Sequence, residues 1–260
     1  MILHVNNLCF SYKGQPALER IRFSIGEGET VAILGPNGVG KTTLLKCLNR
    51  ILFPTKGEIL VKGDEIRTMT PSQIARKISY VAQSSATARI TAFDAILMGR
   101  KPHMGYRVGK EDLTKVDAVI RQLDLSDLSL KTLDCMSGGE LQKVCIARAL
   151  VQETDVILMD EPTASLDLKN QTQILGLIRH IVRGHGMSAI MTMHDLSAAM
   201  RYADKYIFLK DRAIYSAGRI QDITPEMVED VYGVRVDIME HRGLPLVVPI
   251  EEEARKEQAA

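Results

Sequence analysis

The sequence predicts an α/β protein. A mainly parallel sheet is flanked by helices, preceded by an antiparallel β subdomain and interrupted by an inserted helical subdomain. Three observations predict this. Short apolar runs ("TVAIL", "ISYV", "VILM", "SAIM") recur along the chain, which is the pattern of parallel strands buried on both faces. Ahead of them, "ILHVNNLCFSY" and "ALERIRFSI" alternate apolar and polar residues, the period of strands with one face buried. Between residues 84 and 150 the period turns helical, so this stretch is read as an insertion into the strand–helix alternation.

Taken in order, Lys13-Gly14-Gln15-Pro16 breaks the two alternating segments into strand, turn and strand. "TVAILG" is a buried strand. "KTTLLKCLNRIL" follows as a helix with Leu44, Leu45, Leu48 and Ile51 on one face, closed by Pro54 and Gly57. "EILVKGDEI" reads as a hairpin on an exposed sheet, and "ISYVAQ" as the second buried strand. In the helical region, Val116, Val119, Ile120 and Leu123 stand at i, i+3, i+4 and i+7. "DVILMDE" is the third buried strand, with a helix near 169–183 after it. "SAIMTMHD" leads into a helix that aligns Leu196, Ala199, Met200 and Ala203. "KYIFLK" and "AIYSAG" close the sheet. "TPEMVEDVYG" is a short helix with Thr224 as cap, Pro225 at its first position and Gly233 past its end. "EEEARKEQAA" is a charged, frayed or helical terminus.

Composition narrows the function. The 260 residues are 45% hydrophobic and 25% charged with a formal net charge of +1, so no global field favours nucleic acid. The absence of Trp and an aromatic content of 5% argue against a stacking platform for single strands. Cys9, Cys47, Cys135 and Cys145 form no C-x-x-C pair and read as free thiols in a reducing compartment. Polar residues follow "MILHVNN" at once, so no secretory leader is expected. No apolar run nears the 18 residues of a membrane span.

"GPNGVGKTT" fits G-x-x-x-x-G-K-[ST] from Gly35 to Thr42, between a predicted strand and a predicted helix. In such a loop the backbone of Gly35, Pro36, Asn37, Gly38, Val39 and Gly40, continued through Thr43, wraps phosphates at a helix N-terminus. Lys41 reaches the β- and γ-phosphates and Thr42 ligates Mg²⁺. Asp160 closes an apolar strand, where it can hold Mg²⁺ directly or through water, and Glu161 beside it can polarise an attacking water. Together these residues predict hydrolysis of a nucleoside triphosphate. No N-K-x-D string is present to read guanine.

"CMSGGELQKVCIARAL" adds an odd helix start. Ser137 and Glu140 have the spacing of a capping box, yet Gly138 and Gly139 fill the first turn, where each glycine costs about 1 kcal/mol against alanine. Such a turn suits a ligand that must come close to the backbone.

With these motifs in this order, the chain resembles the ATP-binding cassette family over nearly its whole length. The resemblance implies a RecA-like P-loop NTPase core and an ATPase. The expected domain spans 1–235, with core and β subdomain in 1–84 and 151–235, helical subdomain in 85–150, and a tail at 236–260. "SYKGQPAL" supplies Tyr12, matching the aromatic residue that stacks on adenine. Gln83 of "YVAQ" matches the glutamine that touches Mg²⁺ and reports nucleotide state to the membrane partner. "MSGGE" resembles the signature L-S-G-G-Q, with Met136 and Glu140 in place of leucine and glutamine. "ASLD" (164–167) matches the loop that crosses the dimer interface, with Ser165 and Asp167, and His194 of "MTMHD" matches the switch histidine at the γ-phosphate.

The resemblance further implies a head-to-tail homodimer, in which Ser137, Gly138 and Gly139 of one copy close on the γ-phosphate held by the other. Two transmembrane permease subunits and, indirectly, a substrate-binding protein complete the assembly, which places the chain peripherally on the cytoplasmic face of the membrane. "TAFDAILMGRKPHMG" and the tail from "ITPEMVEDVYG" look like importer cassettes for iron-siderophore, haem and vitamin B12 chelates, with molybdate or tungstate uptake as the alternative. "MGRKPH" falls where cassettes meet the permease, and His103 is a contact or mere surface. A soluble cassette acting on nucleic acid or ribosomes is disfavoured by the single cassette, the lack of a coiled-coil insertion and the balanced charge, and an exporter by the lack of fused membrane helices and by the importer-like tail.

Overall fold

The computed structural model describes residues 1–83, 89–105, 107–164 and 166–250. Strands β1 (Leu3–Tyr12) and β2 (Gln15–Ile25) pair antiparallel across a turn in which Lys13 and Gly14 have φ of 46° and 85°. Next come β3 (Thr30–Leu34) and helix α1 (Lys41–Leu48). Strand β4 (Lys56–Val61) returns to β1 and carries the short β5 (Asp64–Glu65), giving an antiparallel sheet ordered β2–β1–β4–β5. Helix α2 (Pro71–Ala75), opened by a Thr70–Gln73 capping box, leads into β6 (Ile78–Val81).

Helices α3 (Ala92–Leu97), α4 (Lys110–Gln122) and α5 (Gly138–Leu150) lie in sequence between β6 and β7 (Val156–Asp160), which pair parallel. The helical region is thus an insertion between neighbouring strands. The chain continues through α6 (Leu168–His185), β8 (Ser188–Thr192), α7 (Leu196–Tyr202), β9 (Lys205–Lys210) and β10 (Ala213–Arg219), then α8 (Pro225–Tyr232). The large sheet runs β10–β9–β3–β8–β7–β6, parallel except for β10.

Two apolar layers explain why the central strands read as unbroken apolar runs. Val31 and Ile33 of β3, Leu158 of β7 and Ile190 of β8 pack with β1, β2, β4 and α1. Their chain neighbours Ala32, Leu34, Met159 and Met191 pack with the helices on the opposite face. Side chains alternate faces along a strand, so burial on both sides removes the polar half of the pattern. The parallel strands all end at one edge, the position where open α/β sheets place their ligands.

Two expectations are corrected. Helix α1 stops at Leu48: Asn49 caps it, Arg50 turns to φ 57°, and Ile51 is 53% exposed rather than on the buried face. The chain reverses there because the Leu52 amide returns to the Lys46 carbonyl. Beyond α8, what read as a tail contains an ordered hairpin, β11 (Val236–His241) and β12 (Leu244–Pro249). It is docked on α7, where Val247 N–H donates to Ser197 Oγ (3.0 Å). The terminal "EEEARKEQAA" and Ser165 lie outside the described residues.

Candidate functional site

The glycine loop converts the end of β3 into the start of α1. Gly35, Gly38 and Gly40 take φ of 143°, 79° and 112°, values that side chains disfavour. At Gly35 space forbids a side chain as well: a Cβ would stand 2.4 Å from the Leu209 carbonyl oxygen. Pro36, Asn37 and Gly38 form the exposed crest, with Val39 and Gly40 half-buried behind it. Lys41 opens α1 at 6% exposure, and its Nζ donates to the carbonyls of Gly35 (2.7 Å) and Pro36 (3.1 Å). Burial holds its pKa below that of a free lysine, against the opposing pull of Glu161 and Asp160. An ammonium so desolvated, with a third donor to offer, is a strong attractor for an anion on the loop.

Asp160 ends β7 at 2% exposure. Its Oδ1 accepts from Thr42 Oγ1 (3.0 Å) and Thr192 Oγ1 (2.8 Å), and its Oδ2 from the Tyr80 hydroxyl (3.3 Å). Burial, then the charge of Asp160, pushes the Tyr80 phenol well above its usual range, so it remains a donor. Glu161 has φ 49°, a left-handed conformation costing about 1–3 kcal/mol in a side-chain-bearing residue. Two bonds hold it there: its N–H donates to Thr192 Oγ1 (2.8 Å), and its carbonyl accepts from Ala164 N–H (3.0 Å). The reversal brings its carboxylate to Gln83 Nε2 (2.6 Å from Oε2) and to His194 Nε2. Four segments therefore meet here: the glycine loop, the end of β6, the end of β7 and the end of β8.

The donor set suits a hard cation. Thr42 hydroxyl and Asp160 carboxylate converge to 3.0 Å, and Gln83, whose Nε2 bonds Glu161 at 2.6 Å, carries an amide oxygen as a further donor. All are oxygen ligands of the kind Mg²⁺ takes together with phosphate and water. Among the described residues no group of three His, Cys, Asp or Glu side chains gathers for a metal. Tyr12 stands beside the same helix start, 47% exposed, with its hydroxyl 3.3 Å from Thr43 Oγ1 and its ring edge-on to Phe10 (4.7 Å, 86°).

The Ser137 stretch forms a second locus. Glu140 N–H donates to Ser137 Oγ (3.3 Å) and Ser137 N–H to Glu140 Oε2 (2.8 Å), completing the capping box. Glu140 is turned back onto its own helix and onto Lys131 Nζ (3.0 Å). The Ser137 amide first, then Lys131, hold its pKa below that of a free glutamate. The two glycines differ. A Cβ at Gly139 would fall 2.6 Å from Asn170 Oδ1, so packing within the chain accounts for that one. At Gly138, among the described residues, it would meet Leu166 Cδ2 alone, at 3.6 Å, and both Ser137 and Gly138 are exposed. Asp167 caps α6 through Asn170 N–H (2.8 Å) and receives Asn170 Nδ2 (3.0 Å), holding in place the side chain that lies against Gly139.

Within "MGRKPH", Arg100 is 3% exposed and bonds Asp112 (3.0 Å), the Val151 carbonyl (2.9 Å) and Glu153 (2.7 Å). His103 Nε2 pairs with the Gln152 carbonyl (2.8 Å). Both fasten the inserted helices to the loop before β7, and Met98 is the exposed residue of the motif's first turn (60%). Sequence reading missed Tyr80 and Thr192. Thr192 sits opposite Asp160 in the β7–β8 register, and its signal was a polar residue ending an otherwise apolar strand.

Comparison with known proteins completes the description. A family model described as ABC transporter matches residues 18–164. An uncharacterized ABC transporter ATP-binding protein of Methanocaldococcus jannaschii is 46% identical over 96% of this chain and 98% of its own length. The ferric enterobactin transport ATP-binding protein of Escherichia coli is 35% identical over 95% of this chain and 94% of its own. Among solved structures, one described as an inward-facing metal-chelate type ABC transporter superposes with a TM-score of 0.84 at 27% identity, covering 97% of this chain and 99% of that one.

Proposed function

The chain belongs to the ABC transporter family, and from that premise we propose that it is the ATP-hydrolysing subunit of an importer for metal chelates. Ferric siderophore and cobalamin transport are represented among the relatives, and the "TAFDAILMGRKPHMG" stretch supports the same class, haem included. The observation that carries the site reading is the Thr42–Asp160 contact at 3.0 Å directly behind the glycine loop, with Glu161 next in the chain.

In this reading the backbone amides of residues 37–43 and Lys41 grip the triphosphate, and Tyr12 stacks on adenine. Thr42, Asp160 and Gln83 hold Mg²⁺, which when bound neutralises charge on the β- and γ-phosphates. Glu161 accepts a proton from the attacking water as the bond from phosphorus to the bridging oxygen breaks; the β-phosphate leaves with that oxygen. His194, joined to Glu161, is freed to meet the γ-phosphate once the carboxylate turns to water.

Cassettes of this family form dimers. Here the exposed Ser137 and Gly138 and the neighbouring Gly139 face the γ-phosphate of a second copy, while Glu140 acts as their cap. Two transmembrane permease subunits supply the path, and a substrate-binding protein delivers the chelate. Among the described residues no helix is long and apolar enough to cross a membrane; attachment to its cytoplasmic face comes through those partners. The helical subdomain (85–150) and the Gln83 segment form the surface offered to the permease. Replacing Glu161 with Gln should reduce steady ATP turnover at least a hundredfold while MgATP still binds. Turnover like that of the unmodified protein would remove Glu161 from the role of base.

A further inference from the structure

The C-terminal helix touches the glycine loop. Gly35 N–H donates to the hydroxyl of Tyr232, the last residue of α8, at 2.8 Å. The same Gly35 residue is engaged through its other polar group, since its carbonyl accepts from Lys41 Nζ at 2.7 Å. One residue is therefore held from behind by the tail and from the front by the loop's own cation. It has little freedom to relax elsewhere, because Gly35 also lies against the Leu209 carbonyl.

Tyr232 is itself well anchored. Its ring stands edge-on to the fully buried Phe208 (6.2 Å, 81°), the β9 residue preceding Leu209. Helix α8 is capped by Thr224 at one end and ends at Gly233 (φ 72°), whose amide bonds Glu229 (2.7 Å). Tyr215 on β10 ties α8 down through Asp230. Burial pushes the Tyr232 phenol up to about 12, so the group is a neutral hydroxyl throughout the working range. The same C-terminal segment grips the far side of the site, where β12 bonds Ser197 in the first turn of α7, three residues after His194.

We propose that Tyr232 is a positioning residue of the phosphate loop, its hydroxyl fixing the Gly35 peptide so that Lys41 and the loop amides face the triphosphate. The proposal rests on the reading of residues 35–43 as the triphosphate cradle. It assigns the tail helix a part in nucleotide affinity rather than in folding alone.

The test uses the full-length chain and MgATP titration at pH 7.5, with melting recorded in parallel. Tyr232→Phe keeps the ring and removes the bond. Its MgATP affinity should fall about tenfold, with kcat at saturating ATP within about twofold, since a buried amide that loses its partner destabilises the conformation that needs it. Tyr215→Phe removes a fastener of the same helix that does not reach the loop. It should lower the melting temperature and leave affinity within about twofold. An unchanged affinity in Tyr232→Phe overturns the proposal, and so does a parallel loss in Tyr215→Phe, which would mark general tail stability. If Tyr232→Phe does not fold, hydrogen exchange on the unmodified protein decides. The Gly35 amide should exchange as slowly as that of Leu34, and exchange at the rate of the exposed Asn37 amide contradicts the bond. Failure of the unmodified protein to bind MgATP would instead sink the cradle reading itself.

Discussion

Alanine at Gly35 and alanine at Gly38 should fail in opposite ways, although both sit in the same loop. At Gly35 the added Cβ lies 2.4 Å from a backbone oxygen of β9, about 1.0 Å inside ordinary contact. Neither partner can move easily, since β3 and β9 are paired neighbours in the middle of the sheet. Overpacking of this kind costs about 1–3 kcal/mol, and the φ of 143° adds about 1–2 kcal/mol for a residue with a side chain. The sum, about 2–5 kcal/mol, corresponds to a melting point lower by roughly 5–15 °C in a chain of this size. At Gly38 no described residue beyond its chain neighbours brings a heavy atom within 4 Å of the added carbon, leaving the backbone cost of about 1 kcal/mol, or roughly 2–4 °C. That open space is where the reading puts phosphate, so Gly38→Ala should cost at least tenfold in MgATP affinity despite its near-normal fold. Thermal melts and nucleotide titrations on both variants separate the cases. A Gly35→Ala protein that melts with the unmodified chain refutes the packing argument; a Gly38→Ala protein with full MgATP affinity refutes the placement of phosphate.

Two more outcomes are expected. The pKa values of Asp112, through the Gly109 amide and then Arg100, and of Glu140, through the Ser137 amide and then Lys131, lie below those of free carboxyls. A folded value below the unfolded one gives stability that is complete above the unfolded pKa and is lost as pH falls through the folded value. The melting temperature should therefore hold from pH 7 to about 5 and decline below about 4. Glu140→Gln should start lower and decline less steeply over that acid range; an equal or steeper acid slope contradicts the assignment. Replacing the half-exposed Tyr12 with Ala should leave melting nearly unchanged and weaken ATP binding about tenfold, the scale of one base–aromatic stack. Tripolyphosphate, which has no base, should bind both proteins alike, and an equal loss for it would remove Tyr12 from adenine recognition.

Sequence revealed those parts of the site that depend on local order. The loop 35–43 needs glycines at fixed spacing between one strand and one helix, and the capping box at Ser137 needs only four consecutive residues. Thr192, Tyr80 and Tyr232 were not legible, because each acquires its partner through strand register or through a contact between distant elements. Thr192 meets Asp160 only once β7 and β8 pair in register, and Tyr232 meets Gly35 across 197 positions. Ile51 continued a helical period correctly as a pattern, but the chain turned away at Arg50 before reaching it. The β11–β12 hairpin carried a readable signal, alternating residues about Arg242-Gly243. Both of these have positive φ (52° and 76°), as a two-residue hairpin loop requires. Gly138 and Gly139 looked equivalent as letters. The structure separates them, since Asn170 explains Gly139, whereas among the described residues Gly138 meets Leu166 at no closer than ordinary contact.

In the proposed dimer the exposed start of α5 completes the nucleotide site of a second copy. Analytical ultracentrifugation of Glu161→Gln with and without MgATP tests it most directly, with Ser137→Arg added in the same background. Loss of the Ser137 cap alone costs about 1 kcal/mol, so the double variant should remain folded and bind MgATP. Glu161→Gln should be monomeric without nucleotide and dimeric with MgATP, and the double variant should stay monomeric with nucleotide bound. A double variant that dimerises like Glu161→Gln, or a Glu161→Gln protein that binds MgATP and never dimerises, would contradict it.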